Sequence, residues 1–206
     1  MFPKDIFIIG AGGHAKVVMS TIKLLNGKVA GIFDDDASKK GIRILDVPVL
    51  GSINEAISVD GSFIIAIGDN EIRKKIFDLY NSLNFVQLLH PSAFVDQTVK
   101  VGKGTVIFAG AMVQPSCNIG RHSIINTGCS IDHDCEIGDF THIAPGVNVA
   151  GGVKVKEGAF IGIGSCVIPN VSIGEWSQVG AGSVVVKDIP PKCLAYGNPA
   201  RVVRYL

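Results

Sequence analysis

Two short segments hold the residue types that chemistry needs. In Asp132-His133-Asp134 a histidine stands between two carboxylates, and imidazole is the side chain best suited to accept a proton near neutral pH. A flanking carboxylate fixes the tautomer of such a ring and steadies its charged form, so the triplet suits a reaction whose nucleophile must shed a proton. An exposed histidine on a solvated turn would look the same in sequence. The second segment, Gly10-Ala-Gly-Gly-His14, follows the apolar run Asp5-Ile-Phe-Ile-Ile9 and opens a helical stretch. Strand, glycine turn and helix N-terminus present backbone N–H groups to a phosphate, with His14 as a further donor, although glycine turns also serve ordinary packing. About twenty residues on, where a ribose hydroxyl or a base would need acceptors, stands Asp34-Asp35-Asp36. Three acids in a row also suit a solvated loop.

The elements that carry these segments follow two different patterns. From Val95 to Val185 every sixth residue is Val or Ile, without insertion. A strand repeats every two residues and a helix every 3.6, so a period of six requires a chain that turns a corner at each repeat and stacks on itself. The pattern predicts a left-handed parallel β-helix with three hexapeptides per coil. Compact residues four positions after each branched one, such as Thr105, Cys117, Ser123 and Cys135, suit the tight corners. Gly102, Gly120 and Gly138, directly after the inward residue, are expected to relieve corner geometry. Ahead of this region, apolar strands at 5–10, 28–34 and 63–67 alternate with helical stretches at 15–25 and 71–83, which argues for a small parallel sheet of Rossmann type. The fold class is therefore α/β plus β-solenoid. A small Rossmann-like domain spans residues 1–90 and a left-handed β-helix with a C-terminal cap spans 91–206. His90-Pro91 forms the joint, because the proline biases its predecessor toward extended backbone.

Composition narrows the function classes. The chain has 206 residues and a net charge of +1 with no run of Lys or Arg, so neither a nucleic-acid footprint nor a membrane-surface patch is present. The apolar stretch Ile6–Ile9 is too short for a signal-peptide core, and a cytoplasmic protein is expected. Five cysteines in no metal-like pattern fit a reducing compartment and no metal. His142 follows His133 by nine residues, half of an eighteen-residue coil. The two rings therefore face different sides of one prism, and only a second subunit can bring them together.

Three segments carry a family resemblance: Gly10-Ala-Gly-Gly-His-Ala-Lys16, Ala66-Ile-Gly-Asp-Asn-Glu-Ile-Arg-Lys-Lys-Ile76, and Asn126-Thr127 with Asp132-His-Asp-Cys135. The ending Gly197-Asn-Pro-Ala-Arg201 agrees with them. Together they resemble the bacterial sugar O- and N-acetyltransferases of the sialic acid and bacillosamine type. The resemblance implies a general base at His133 and its acidic partner at Asp134. It carries His142 and the backbone of Gly151 to the acetyl end of acetyl-CoA, and Ile163 and Ala181 to the pantetheine and nucleotide path. Gly12, Gly13, His14, Asp34, Asp35, Gly68 and Asn70 are carried to the nucleotide sugar. It further implies a homotrimer with inter-subunit sites and direct transfer to the 4-amino group of a nucleotide-linked 4-amino-4,6-dideoxy sugar. O-acetylation of a sialic acid and a non-catalytic nucleotide-sugar-binding protein are the alternatives. A zinc site from His122, His133 and His142 fits poorly, since their repeat positions differ.

Overall fold

The computed structural model describes residue 3 and residues 5–206. The N-terminal unit runs β1 (Asp5–Ile9), α1 (Gly13–Leu24), β2 (Lys28–Phe33), β3 (Arg43–Ile44), β4 (Val47–Gly51), β5 (Ser62–Ile65), α2 (Asn70–Leu79) and β6 (Asn84–Phe85). Its sheet has the order β3-β4-β2-β1-β5-β6, parallel except for the β3–β4 hairpin. Strand β1 reads as an unbroken apolar run because both of its faces are covered. Ile6 and Ile8 pack with Ala15, Val18 and Ile22 of α1, while Ile9 packs with Phe33, Phe63 and Ile76 of α2 on the other side. Helix α2 stops at Leu79, ahead of the Leu83 that the apolar pattern suggests. Tyr80 caps it by donating to the Ile76 carbonyl, and Asn81-Ser82 continues as a turn.

The solenoid is built from two-residue strands on three faces. The first face stacks Leu88–Leu89, Val106–Ile107, Ile124–Ile125, His142–Ile143, Phe160–Ile161 and Gln178–Val179, each pair parallel to the next. The second face includes Met112–Val113, Ser130–Ile131 and Asn148–Val149, and the third includes Asn118–Ile119, Glu136–Ile137 and Lys154–Val155. The sixth-position residues from Ile107 to Val185 point inward and are at most 3% exposed. Each such burial is worth about 1.5–3 kcal/mol relative to exposure. Compact corner residues also bridge coils: Thr105 Oγ1 donates to the Gly120 carbonyl at 2.6 Å and Ser123 Oγ to that of Gly138 at 2.8 Å.

Two details differ from the sequence pattern. The stack starts at Leu88–Leu89, before the expected joint at His90. Leu89 lies six residues ahead of Val95 but is neither Val nor Ile, so the count misses it. The left-handed backbone of the corners does not fall on Gly102, Gly120 or Gly138. It falls two residues later, at Gly104 (φ 73°), His122 (φ 51°) and Phe140 (φ 56°). The earlier glycines are required by close approach: a Cβ at Gly120 would lie 2.5 Å from the backbone of Gly138 and Asp139 in the next coil.

The N-terminal unit lies on the first face, where Leu88, Val106, Phe108 and Ile124 complete the core shared with β1 and α1. At the far end the strands Cys193–Gly197 and Ala200–Tyr205 form an antiparallel hairpin that pairs with Gln178–Val179 and extends the same face.

Candidate active site

The corner between the second and third faces carries His133 and Asp134. Asp134 takes the left-handed corner conformation (φ 60°), which aspartate tolerates better than most residues. That conformation turns its carboxylate back on the preceding ring: His133 Nδ1 lies 2.7 Å from Asp134 Oδ2. Asp132 holds the backbone instead, accepting from the His133 N–H at 2.8 Å. The hydrogen bond to Asp134, followed by the charge of Asp132, raises the His133 pKa above the usual histidine value. Both side chains of the pair are solvent-facing, at 61% and 65% exposure.

One coil on, Gly151 lies directly against this ring. Its N–H makes no hydrogen bond among the described residues, and a Cβ there would lie 2.7 Å from His133 Cε1. Gly151→Ala therefore pushes an exposed ring aside rather than breaking a coil. The expected result is a fall in turnover of about 10–100-fold, the scale set by ångström displacements of a reacting group, with a melting temperature close to that of the parent. Retained turnover would show that the ring's position is not critical.

A cleft of about 370 Å³ runs along the second face beside this corner, lined by Gln114, Ser130, Asp132, Asn148, Ala150 and Cys166 among others. The corner between the first and second faces borders the opposite side of that face. It carries exposed Ile163, and Ala181 follows one coil later. Gly151 on one side and Ile163 with Ala181 on the other thus flank the second face, whereas His142 belongs to the first. The outward ladder Ser130, Asn148 and Cys166 has no signature in the sequence, because outward positions of the repeat look alike.

Gly12 caps α1 and Gly13 begins it. Neither has a positive φ, and a Cβ on either would meet nothing within 4 Å. Neither packing nor backbone conformation demands these glycines, so the space above them is open to a ligand. His14 follows, its ring edge-on to Phe108 at 5.4 Å and 6.4 Å from His142. Its buried Nε2 has no partner among the described residues. Burial, then the charge of Arg73, lowers its pKa to about 4.

Several expected ligands prove to be occupied. Asp34 Oδ2 accepts from the Ala11 N–H at 2.6 Å and from Lys39 at 3.1 Å, and its Oδ1 from the Asp36 N–H, so this carboxylate braces the glycine turn from behind. Asp35 Oδ1 accepts from the Ile53 N–H at 2.9 Å. Both acids still border a recess of about 290 Å³ with Gly10, Ile67 and Tyr80. Asn70 is a structural tie, and with Gly68 it also lines a recess of about 330 Å³ against Gly158 and Phe160. Its Nδ2 donates to the carbonyls of Gly158 and Ala159, at 3.0 and 3.2 Å, and its Oδ1 accepts from Arg73.

His142 also differs from expectation. It sits on the first face against the N-terminal unit, with Nδ1 3.1 Å from the Gly68 carbonyl and Nε2 3.0 Å from Asn126 Nδ2. A carbonyl can only accept, so Nδ1 carries the proton. Both nitrogens are then engaged by the chain itself. Burial lowers its pKa to about 4. His122 lies at the corner between the third and first faces, among Phe77, Phe85 and Phe140. The three histidines named for zinc thus occupy different sides of the chain. The described residues contain no cluster of three or more His, Cys, Asp or Glu able to hold a metal, and no helix among them is long and apolar enough to cross a membrane.

Known proteins share this architecture. Residues 5–80 match the PglD N-terminal domain and residues 152–187 the bacterial transferase hexapeptide (six repeats). Perosamine N-acetyltransferase of Caulobacter crescentus, as a histidine-to-asparagine mutant in complex with CoA and GDP-perosamine, superposes with a TM-score of 0.92 at 40% identity over 97% of both chains. The acetyltransferase domain of PglB from Neisseria gonorrhoeae, in complex with acetyl coenzyme A, gives 0.90 at 32% identity over 97% of this chain and 99% of that one. UDP-N-acetylbacillosamine N-acetyltransferase of Bacillus subtilis is 39% identical over 112 residues, 52% of either protein. An uncharacterized protein of Acanthamoeba polyphaga mimivirus is 33% identical over 21% of its length. The chain thus spans about half or less of the curated relatives it matches. With two solved relatives above 30% identity over nearly their whole length, the chain belongs to the hexapeptide-repeat sugar acetyltransferases that carry a PglD N-terminal domain.

Proposed function

We propose that this chain transfers the acetyl group of acetyl-CoA to the 4-amino group of a nucleotide-linked 4-amino-4,6-dideoxy sugar, of the UDP-4-amino-4,6-dideoxy-N-acetylglucosamine type, with His133 as general base. The observation that carries the reading is the 2.7 Å contact between His133 Nδ1 and Asp134. The carboxylate accepts the Nδ1 proton, which leaves the lone pair on Nε2. As the sugar nitrogen attacks, Nε2 takes its proton and Asp134 stabilises the imidazolium. Acetyl-CoA supplies the thioester carbonyl. The unpaired N–H of Gly151 is a candidate donor to the negative charge that grows on its oxygen. The two thiols nearest the base, Cys117 and Cys135, are both buried, with Sγ turned to the Asp132 and Ala150 carbonyls at 2.9 and 3.2 Å, so neither is placed to attack a bound thioester and transfer is direct. The relatives support this acceptor class, since the Caulobacter enzyme was captured with GDP-perosamine and CoA.

The glycine turn, with Gly12, Gly13 and His14, holds the nucleotide sugar, and Asp35 contributes from the border of its recess. The second-face cleft and the corner with Ile163 and Ala181 hold the cosubstrate. His133 and the turn lie on different sides of one prism, so a trimer brings the turn of one subunit to the base of its neighbour. The test is a thiol-release assay with acetyl-CoA and UDP-, GDP- and dTDP-linked 4-amino-4,6-dideoxy sugars, beside CMP-linked and free sialic acid, on species separated by size. Turnover of one amino sugar by the trimer alone is expected. Turnover only on a sialic acid would move the assignment to O-acetylation, and silence on all acceptors would favour a binding protein. An active monomer would overturn the shared site.

A further inference from the structure

Arg73 reads in sequence as one more charge on α2, yet it is 1% exposed. Among the described residues no carboxylate forms an ion pair with it, and its donors go almost entirely to carbonyls. Nη1 donates to Ile67, Gly68 and Asp69 at 3.0, 3.2 and 3.3 Å, which are consecutive carbonyls of the loop leading into α2. Nε reaches the carbonyl of His122 at 2.7 Å, and Nη2 those of Phe140 and Thr141 at 2.9 and 3.1 Å, on two successive coils of the solenoid. Nη2 also holds Asn70 Oδ1 at 2.8 Å, and Asn70 extends the tie to a third coil at Gly158. A planar fork of five N–H donors can span such a set, and an ammonium with three cannot.

The chain of hydrogen bonds continues beyond the guanidinium. The Gly68 carbonyl that Arg73 fixes is the one that accepts from His142 Nδ1. The other ring nitrogen must then accept from Asn126 Nδ2. The Asn126 amide is held in that orientation because its Oδ1 accepts from the Thr127 N–H at 2.8 Å. One buried side chain therefore sets the 67–70 loop, and through it the ring of His142 and the amide of Asn126, beside the open glycine turn and His14.

We infer that Arg73 is a positioning residue for the acceptor sugar: it clamps the 67–70 loop to the solenoid and so fixes the Nδ1-protonated tautomer and orientation of His142. The inference deepens the proposed transfer reaction and rests on it for the identity of the ligand, but the tautomer can be read without turnover.

The first measurement is the side-chain nitrogen spectrum of the full chain labelled on histidine, with His142 assigned from the loss of its signals in His142→Gln. Wild type should show His142 protonated on Nδ1 alone, and protonation on Nε2 would overturn the inference whatever the protein acetylates. The second is Arg73→Lys, which keeps the charge but has too few donors for all the carbonyls. In folded variant the Nδ1-protonated signal should shift or broaden. KM for the nucleotide sugar should rise about 10–100-fold, by the cost of small misplacements, while KM for acetyl-CoA stays near the parent value. A folded Arg73→Lys protein with an unchanged His142 signal and an unchanged sugar KM would overturn it. If the variant does not fold, the wild-type spectrum alone decides. If wild type turns over no amino sugar, the acceptor assignment fails while the spectra still judge the clamp.

Discussion

His133→Ala lowers kcat by about 10²–10³-fold, the usual contribution of a positioned general base. The side chain is 61% exposed, so its removal opens no cavity, and exposed substitutions of this kind change stability by no more than about 0.5 kcal/mol. The loss should therefore appear in a protein with the parent's melting temperature and the parent's KM for acetyl-CoA. The pH profile gives an independent reading. Asp134 and Asp132 raise the pKa of His133, and a base must be unprotonated to act. kcat/KM therefore rises with pH through a midpoint above the ordinary histidine value. Asp134→Asn keeps the left-handed corner, which asparagine also tolerates, but removes the charge, and that midpoint moves down. A folded His133→Ala enzyme at full turnover would remove this residue from the chemistry.

Mild acid should unfold the protein. His14, His122 and His142 all have pKa values lowered from 6.5 to about 4, with burial the leading cause in each and Arg73 adding repulsion. The unfolded chain takes up a proton on each near pH 6.5, whereas the folded chain does so only near pH 4. The unfolded state thus binds more protons between those values, and stability falls as pH drops through the window. Above it the full stability is present. Each histidine can account for up to about 3 kcal/mol, with a slope approaching about 1.4 kcal/mol per pH unit for each one titrating. Urea unfolding at pH 7.5, 6 and 5 measures this directly, and equal free energies at pH 7.5 and 5 would contradict it. His122→Phe offers a control with one titrating group fewer. Phe140 and Trp176 already occupy the matching left-handed corner position, and an aromatic ring suits the cluster of Phe77, Phe85 and Phe140. Its pH slope should be shallower.

The sixth-residue rule was legible because one branched side chain per repeat has one place to go, inside the prism. That a carboxylate stands beside His133 was legible too, but Asp132 and Asp134 are equally close in sequence, and only the left-handed corner at Asp134 decides which of them meets the ring. Long-range partnerships were not. Gly68 lies 74 residues from His142, so nothing local reveals that their hydrogen bond engages the ring expected at the acetyl end. Asp34 looked available because the Ala11 N–H it braces is 23 residues away. Arg73 was hidden by its type: arginine on a helix ordinarily faces water, and only the fold supplies the carbonyls that surround it. The glycines after the inward residues are ambiguous in sequence, because crowding between coils and a left-handed turn both select for the smallest residue, and at Gly102, Gly120 and Gly138 it is the crowding that operates.

The stacking register makes this molecule a ruler graduated in whole coils. Solenoid residues lean on those eighteen positions before and after them, so an inserted or deleted stretch that stays in the stack and is not a multiple of eighteen rotates each later side chain off its face. Duplicating the eighteen residues 161–178 keeps the register. That duplication lies beyond the Arg73 clamp, His133 and Gly151, so it leaves their spacing untouched and lengthens the second-face groove by one strand spacing of about 4.8 Å. An extra coil between Thr127 and His133 would instead carry the base one graduation away from the loop that Arg73 pins.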